Sequence, residues 1–95
     1  GNDFSNAKLN NIKGNTVFFI ASNLEDVKMN NVDLELVWFQ NASLINSELK
    51  NGVMKDVFMI NFDMTGTDLN GTEIENEFEF GENIFRCNNH SICTK

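Results

Sequence analysis

The chain has 95 residues, a formal net charge of −7, two cysteines and no proline, and its length leaves room for one domain. The acidity argues against direct nucleic-acid binding, because phosphates are bound by clustered Lys and Arg. No stretch is apolar enough to form a membrane-spanning helix and no signal peptide opens the chain, so we expect a soluble, cytoplasmic protein without membrane contact.

A column of apolar residues recurs at every fifth position from Phe4 to Ile74, interrupted only by Gly14. Neither a helix nor a flat strand has this period, because their apolar faces recur at about 3.6 and about 2 residues. A second column of mostly small or β-branched residues lies two positions earlier, from Ala7 to Thr72. Asn, Asp or Gly often lies two positions after the first column, where these residues favour turns. The chain is therefore a repeat in which each unit is a short extended piece followed by a corner.

Four of the clearest units are Ala7–Asn11, Val27–Asn31, Ala42–Asn46 and Thr67–Gly71. They resemble the pentapeptide-repeat family, whose units read like Ala-Asp-Leu followed by two variable residues. The resemblance covers roughly positions 2–76. It implies an all-β fold, the right-handed quadrilateral β-helix, with four units in each coil. We expect about four coils over residues 1–80 and a short irregular C-terminal cap or tail over residues 81–95.

Wrapping the chain at four units per coil predicts four outer faces. Three carry mostly polar and charged side chains, whereas the fourth is apolar, and we call it the aromatic face. Its residues are Phe18, Ile20, Trp38, Phe58, Ile60, Phe78 and Phe80, with Gln40 as the one polar member. An outward patch of several hundred square ångströms indicates an interaction site. The alternatives are that the rings only stabilise the sheet, or that the tail covers them.

Gly14 and Gly52 interrupt the apolar columns, and each lies two units from an interior phenylalanine, Phe4 or Phe62. Two units are half a coil, so the two members of each pair would face one another across the interior. We therefore expect each glycine to make room for the ring opposite it.

The repeat becomes ambiguous after Ile74. A continued repeat would turn Glu77 and Glu79 towards the apolar interior, where unpaired charges are costly. The sequence allows two outcomes. Either the solenoid ends here, or a one-residue slip turns Phe78 and Phe80 inward as a lid.

Cys87, His90 and Cys93 are residue types that bind zinc. Only these three ligands are available where a closed structural site needs about four, so we predict no metal site. A disulfide between the cysteines is the second interpretation and requires an oxidising setting. We favour the third, in which two free thiols accompany a solvated histidine.

The chain has one histidine and lacks a nucleophile elbow and a phosphate-binding glycine loop, so we predict neither enzymatic activity nor a cofactor. We expect a non-enzymatic structural scaffold that self-associates or binds a protein partner through the aromatic face. One alternative, from the resemblance, is an acidic DNA mimic that binds a type II topoisomerase such as gyrase. Its scattered acids and intervening lysines fit that role poorly. Another alternative is the β-helical portion of a larger bacterial effector.

Overall fold

A computed structural model describes residues 1–95, and almost all of its regular structure is parallel β-sheet. The strands are β1 Lys13–Ile20, β2 Asp33–Gln40, β3 Val53–Ile60 and β4 Glu73–Phe80. They form one sheet in the order β1-β2-β3-β4. A single short 3₁₀ helix, Ser91–Thr94, lies near the C-terminus. Each strand is the same part of a successive turn, so the chain is an all-β solenoid.

The turns follow one another at a constant spacing of four units. Lys13 pairs with Asp33 on the sheet, and isolated bridges such as Lys8 with Lys28 repeat this offset on another side. Side chains four units apart therefore lie directly above each other. The structure confirms the predicted all-β repeat solenoid.

The corners depend on residues that accept a left-handed backbone. In the turn that runs from Asn41 to Asn61, every fifth residue has a positive φ, between 47° and 57°. Asn and Asp adopt this conformation more readily than other residues with a side chain. The corner at Asp56 is occupied by Thr16 and Leu36 in the two earlier turns, and neither has a positive φ. The turn-residue signal is thus absent from one corner of those turns.

The interior is filled by the two predicted apolar columns, and 18 buried hydrophobic residues form one cluster. Four phenylalanine rings run through this interior, and we call them the inner stack: Phe4, Phe19, Phe39 and Phe62. Phe39 and Phe62 lie parallel with centroids 4.3 Å apart, and Phe19 lies 5.5 Å from Phe39. Phe4 meets Phe19 edge-on at 6.1 Å. The inner stack therefore runs from the first turn to the last, although the turn between Asn41 and Asn61 contributes no ring to it.

Hydroxyl side chains of the second column bond across the turns. Ser47 Oγ donates to the carbonyl oxygen of Leu24 at 2.6 Å and accepts the N–H of Val27 at 3.0 Å. Thr67 Oγ1 likewise donates to the carbonyl oxygen of Leu44. These bonds pair buried polar groups and join each turn to the one before it.

The expectation that Gly52 makes room for a ring across the interior is wrong. A Cβ atom on Gly52 would lie 3.0 Å from Val32 Cγ2 and 3.1 Å from the Val32 carbonyl oxygen, in the preceding turn. At Gly14 the nearest atom is Val17 Cγ2, at 2.9 Å, and no phenylalanine lies within 4 Å. Glycine is required because neighbouring valines and backbone approach closely.

The strand register does not slip after Ile74. Phe58 pairs with Phe78, and Ile60 pairs with Phe80, with the same offset as the earlier strands. Both phenylalanines of β4 consequently lie on the outer surface and are exposed. The alternative in which they turn inward as a lid is therefore wrong.

Glu77 and Glu79 occupy interior positions, in register with Val57 and Met59. They are nevertheless exposed, because the turn above them is incomplete. The Lys95 ammonium lies 3.8 Å from a Glu77 carboxylate oxygen and 2.5 Å from one of Glu79. The hydrogen bond to Glu79 is the main reason why the pKa of Lys95 is raised. The repeat thus tolerates two inward glutamates in its last strand, where they are exposed and paired with Lys95.

The tail continues along the last turn before it covers the end of the interior. Ile84 pairs with Asp63, so the tail contains one extra residue between Phe80 and Ile84. The regular offset returns at Asn88, which pairs with Asp68. The 3₁₀ helix then places Ile92 on the core, where it is 2% exposed. The tail is therefore packed against the solenoid.

Candidate interaction face

The aromatic face is the outer surface of the second half of the four strands. One row of residues in register consists of Phe18, Trp38, Phe58 and Phe78. The second row, two positions further along each strand, consists of Ile20, Gln40, Ile60 and Phe80. Residues between the rows, such as Phe39, point inward because strand side chains alternate between the two sides of a sheet. The structure therefore brings all seven predicted residues together.

The four rings of the first row form an outer ladder. The rings of Trp38 and Phe58 have centroids 4.6 Å apart and are 22° from parallel. Phe58 and Phe78 are similar, at 4.7 Å and 16°. Phe18 is more loosely placed, 6.3 Å from Trp38 and tilted by 55°. Stacked contacts of this kind are favourable beyond the area they bury, so neighbouring rings hold each other in position.

Much of the aromatic face remains exposed to solvent. Four side chains are the most exposed: Phe18 at 59%, Phe80 at 55%, Ile20 at 47% and Phe78 at 41%. Trp38, Phe58 and Ile60 are partly buried by their neighbours. Since a large aromatic side chain has roughly 200 Å² of surface, the face exposes on the order of 500 Å². Apolar patches of this size on soluble proteins are often functional.

Gln40, the one polar residue of the face, accepts a hydrogen bond from the tryptophan. Trp38 Nε1 donates a hydrogen bond of 2.9 Å to Gln40 Oε1, and both residues lie on β2. An indole N–H that is buried without an acceptor is costly. The sequence identified Gln40 only as a flanking residue, because periodicity does not reveal side-chain bonds. The aromatic face thus supplies the acceptor that its own indole needs.

Outward-pointing charged residues are absent from the aromatic face and lie on the other three sides of the solenoid. One bridged column on another side is charged in every turn, and we call it the charged row: Lys8, Lys28, Glu48 and Asp68. In that row Glu48 lies 3.8 Å from Lys28 and 3.3 Å from Lys50. Asn30 Nδ2 also donates to Glu48 Oε1 at 3.1 Å. The hydrogen bond from Asn30, followed by that from Lys50, holds the pKa of Glu48 below its ordinary value. The two surfaces therefore differ in chemistry although both repeat at the same spacing.

Ile84 is an exposed apolar residue outside the predicted set, with 41% of its surface accessible. It continues a column of outward polar residues that ends at Asp63. The extra residue in the tail removes Ile84 from the regular four-unit spacing. No periodic signal in the sequence therefore locates it.

The expectation of two free thiols is wrong, because Cys87 and Cys93 form a disulfide. The turn after His90 brings the two Cα atoms to 5.0 Å, a separation that a disulfide spans. Neither sulfur is then available as a thiolate ligand. His90 Nδ1 accepts the N–H of Ile92 at 3.0 Å and caps the 3₁₀ helix. This group of residues shapes the tail.

The structure contains no pocket and no group of three side chains placed to bind a metal ion. None of its helical structure is long and apolar enough to cross a bilayer. Comparisons with protein-family models, curated proteins and solved structures find no match to this chain.

Proposed function

We propose that this chain is a non-enzymatic interaction scaffold that self-associates by burying the aromatic face. The observation that carries the proposal is the outer ladder, an ordered and uncharged row of rings within an exposed surface on the order of 500 Å². The parallel sheet holds the rings in place before any contact forms. Little side-chain freedom is therefore lost on association.

We also propose that the chain is a pentapeptide-repeat protein. Three features support this assignment: the apolar columns with a period of five, the left-handed corners at the same spacing, and turns of four units each. The solenoid is the part of this proposal that the structure shows directly. Family membership rests on the agreement between the sequence period and the turn geometry.

The acidic DNA mimic is the weaker candidate. Such a mimic needs rows of unpaired acids, whereas Glu48 is paired with both Lys28 and Lys50. A gyrase supercoiling assay separates the two functions. The scaffold proposal expects unchanged supercoiling at micromolar protein, and inhibition at that concentration would favour the mimic.

We propose that the scaffold works in an oxidising compartment, in place of the cytoplasm expected from the sequence. Disulfides persist in such compartments and are rare in the reducing cytosol, and Cys87 and Cys93 are bonded to each other. Protein isolated from its natural source can be alkylated while denatured but not reduced. We expect no alkylation, whereas two alkylated cysteines would contradict the proposal.

Sedimentation velocity over a concentration series tests self-association, with Trp38 fluorescence quenching measured in the same samples. We expect a monomer that becomes a dimer, in which Trp38 is less accessible to the quencher. The double variant Trp38→Ser/Phe58→Ser should remain monomeric. The control Lys28→Ser/Glu48→Ser should still dimerise, because it changes two residues of the same two turns on the charged row.

Two results would overturn the proposal. A chain that stays monomeric with Trp38 accessible would rule out self-association, and the aromatic face would then bind a different protein. A dimer that persists in Trp38→Ser/Phe58→Ser would show that another surface carries the association. Circular dichroism of this variant, expected to keep the native β-sheet signal, distinguishes a lost interface from a lost fold.

A further inference from the structure

We infer that the aromatic face binds a second copy of this chain in an antiparallel arrangement, with β1 of one copy opposite β4 of the other. The inference rests on the proposed self-association and adds the orientation of the two solenoids. It follows from the geometry of the sheet and the distribution of charge along the solenoid.

The geometry leaves two aligned arrangements. Four strands spaced at about 4.8 Å make the aromatic face about 14 Å tall. Flat sheets pack about 10 Å apart with their strands within about 30° of each other, and a symmetric dimer has a twofold axis between them. If the axis follows the strands, β1 lies opposite β4. If it follows the solenoid axis, each strand lies opposite its own copy.

The charge distribution favours the antiparallel arrangement. Residues 61–95 carry seven acidic and two basic side chains, whereas residues 1–20 carry one acidic and two basic side chains. The parallel arrangement would place the two acidic ends beside each other. The antiparallel arrangement places each acidic end beside a slightly basic end. Because like charges that face each other oppose association, the antiparallel dimer is the more stable of the two.

The edge strands show this asymmetry most clearly. The acidic residues of β4 are all exposed: Glu73, Glu75, Glu77 and Glu79. Lys95 pairs with the last two, whereas the first two have no ion-pair partner. In contrast, Lys13 is the only charged residue of β1. Lys13, Glu73 and Glu75 precede the corner that leads onto the aromatic face, so opposing β1 to β4 places the basic end of one copy beside the acidic end of the other at the rim of the interface.

The sizes of the exposed side chains do not distinguish the two arrangements in favour of the antiparallel one. That arrangement places Ile20 opposite Phe80 in one row, but it also places Phe18 opposite Phe78 in the other. The choice between the two arrangements therefore rests on the distribution of charge.

The area of the face limits the affinity. Covering it on both copies removes on the order of 1,000 Å² from water, the lower limit for a specific interface. No charged side chain of the face is buried in the process. We therefore expect a dimer that dissociates at micromolar concentrations, within the range of the sedimentation series.

Cross-linking tests the orientation. The single variants Ile20→Cys and Phe80→Cys are treated with a short bismaleimide, separately and as an equal mixture. The antiparallel arrangement predicts a linked dimer in the mixture and little linking within either variant alone. The two variants differ in mass, so intact-mass spectrometry identifies the mixed dimer. No reductant is used, which leaves the Cys87–Cys93 disulfide intact.

The second pair, Phe18→Cys with Phe78→Cys, repeats the test in the other row and leaves Phe80 in place. Lys28→Cys on the charged row is the control and should give no linked dimer. Self-linked dimers of each variant would overturn the antiparallel arrangement and leave self-association intact. Equal yields of linked dimer in all samples, including the Lys28→Cys control, would also overturn the antiparallel arrangement. A wild-type chain that remains monomeric in sedimentation would instead overturn the proposed function.

Discussion

The inner stack and the outer ladder adjoin on β1 and β2, where Phe19 follows Phe18 and Phe39 follows Trp38, but they have different surroundings. Phe39 and Phe62 stack at 4.3 Å and 5°, and each is 1% exposed. Trp38 and Phe58 stack at 4.6 Å and 22° with their outer sides towards solvent. Ring contact is similar in both rows, so the inner stack stabilises the fold more because its rings are buried. Removing apolar surface from water contributes roughly 25 cal/mol per Å². Stacking alone therefore does not make an aromatic row part of the core, and a row left uncovered remains available for binding.

The most direct way to break this comparison is to truncate neighbouring rings on β2. Phe39→Ala should lower the free energy of unfolding by about 3–5 kcal/mol, because it leaves a cavity in the packed interior. Trp38→Ala should lower it by only about 1 kcal/mol, since that ring is partly solvated already. Urea denaturation followed by circular dichroism, at concentrations where the chain is monomeric, measures both values. Equal losses would show that the outer ladder supports the fold as much as the inner stack does.

Removal of the disulfide tests whether the tail, which covers the interior, also affects the aromatic face. Cys87→Ser/Cys93→Ser should lower the free energy of unfolding by about 2 kcal/mol, because a short loop is no longer closed in the unfolded chain. Ile92, which covers the interior, would then be held less firmly. We expect the dissociation constant of the dimer to stay within about threefold of the wild-type value. A variant with unchanged stability and no dimer would link the tail to the aromatic face.

Enlarging one inward and one outward side chain sharpens the comparison. Gly52→Ala should cost about 1–2 kcal/mol of stability by overpacking. Its Cβ would press on Val32, whose carbonyl oxygen accepts the Val53 N–H at 2.8 Å. Ile20→Phe adds more atoms but points outward, and should change stability by less than about 0.5 kcal/mol. Thermal melts of both variants measure the difference, and a neutral Gly52→Ala would contradict the close packing.

The outer ladder could be predicted from the sequence, whereas the inner stack could not, because Phe62 belongs to the second column and does not follow Phe39 at the four-unit spacing. An apolar residue at every fifth position is compatible with one inward side chain per side of a turn, and four such sides define the spacing that places Phe58 beneath Phe78. The continuation of this register through β4 could not be decided, because Glu77 and Glu79 are unfavourable in a closed interior. They are tolerated by exposure and by Lys95, 16 residues beyond Glu79, and periodicity carries no information about that contact.

The remaining differences between the sequence predictions and the structure also arise from contacts between distant parts of the chain. The extra residue in the tail shifts Ile84 out of register, and the fold of the tail then brings Cys87 close to Cys93. Gly52 is required by the turn below it, whereas sequence spacing pointed across the interior. Periodicity predicts which residues stack, but not how closely two backbones approach. Side-chain bonds such as that from Trp38 to Gln40 are likewise beyond its reach.

The charged row provides the smallest predicted effect and a contrast in its response to pH. The pKa of Glu48 lies below its ordinary value of 4.5, first because Asn30 donates a hydrogen bond and then because Lys50 does. A carboxyl group with a lowered folded pKa stabilises the fold above its unfolded pKa and loses that contribution as pH falls through the folded pKa. Glu48→Gln should therefore melt slightly below the wild type at pH 7, and the two melting temperatures should converge as the pH falls through the lowered pKa of Glu48.

The outer ladder should not respond in this way, because its rings do not titrate. Trp38→Phe is the matched variant, and its difference in melting temperature from the wild type should remain constant over the same pH range. The Glu48 effect should also shrink in high salt, since exposed ion pairs are screened. If the difference in melting temperature between Glu48→Gln and the wild type persisted at low pH, the ionised carboxylate would not be its source. The Glu48 side chain would then stabilise the fold through packing. The charged row would then resemble the aromatic face in how it stabilises the solenoid.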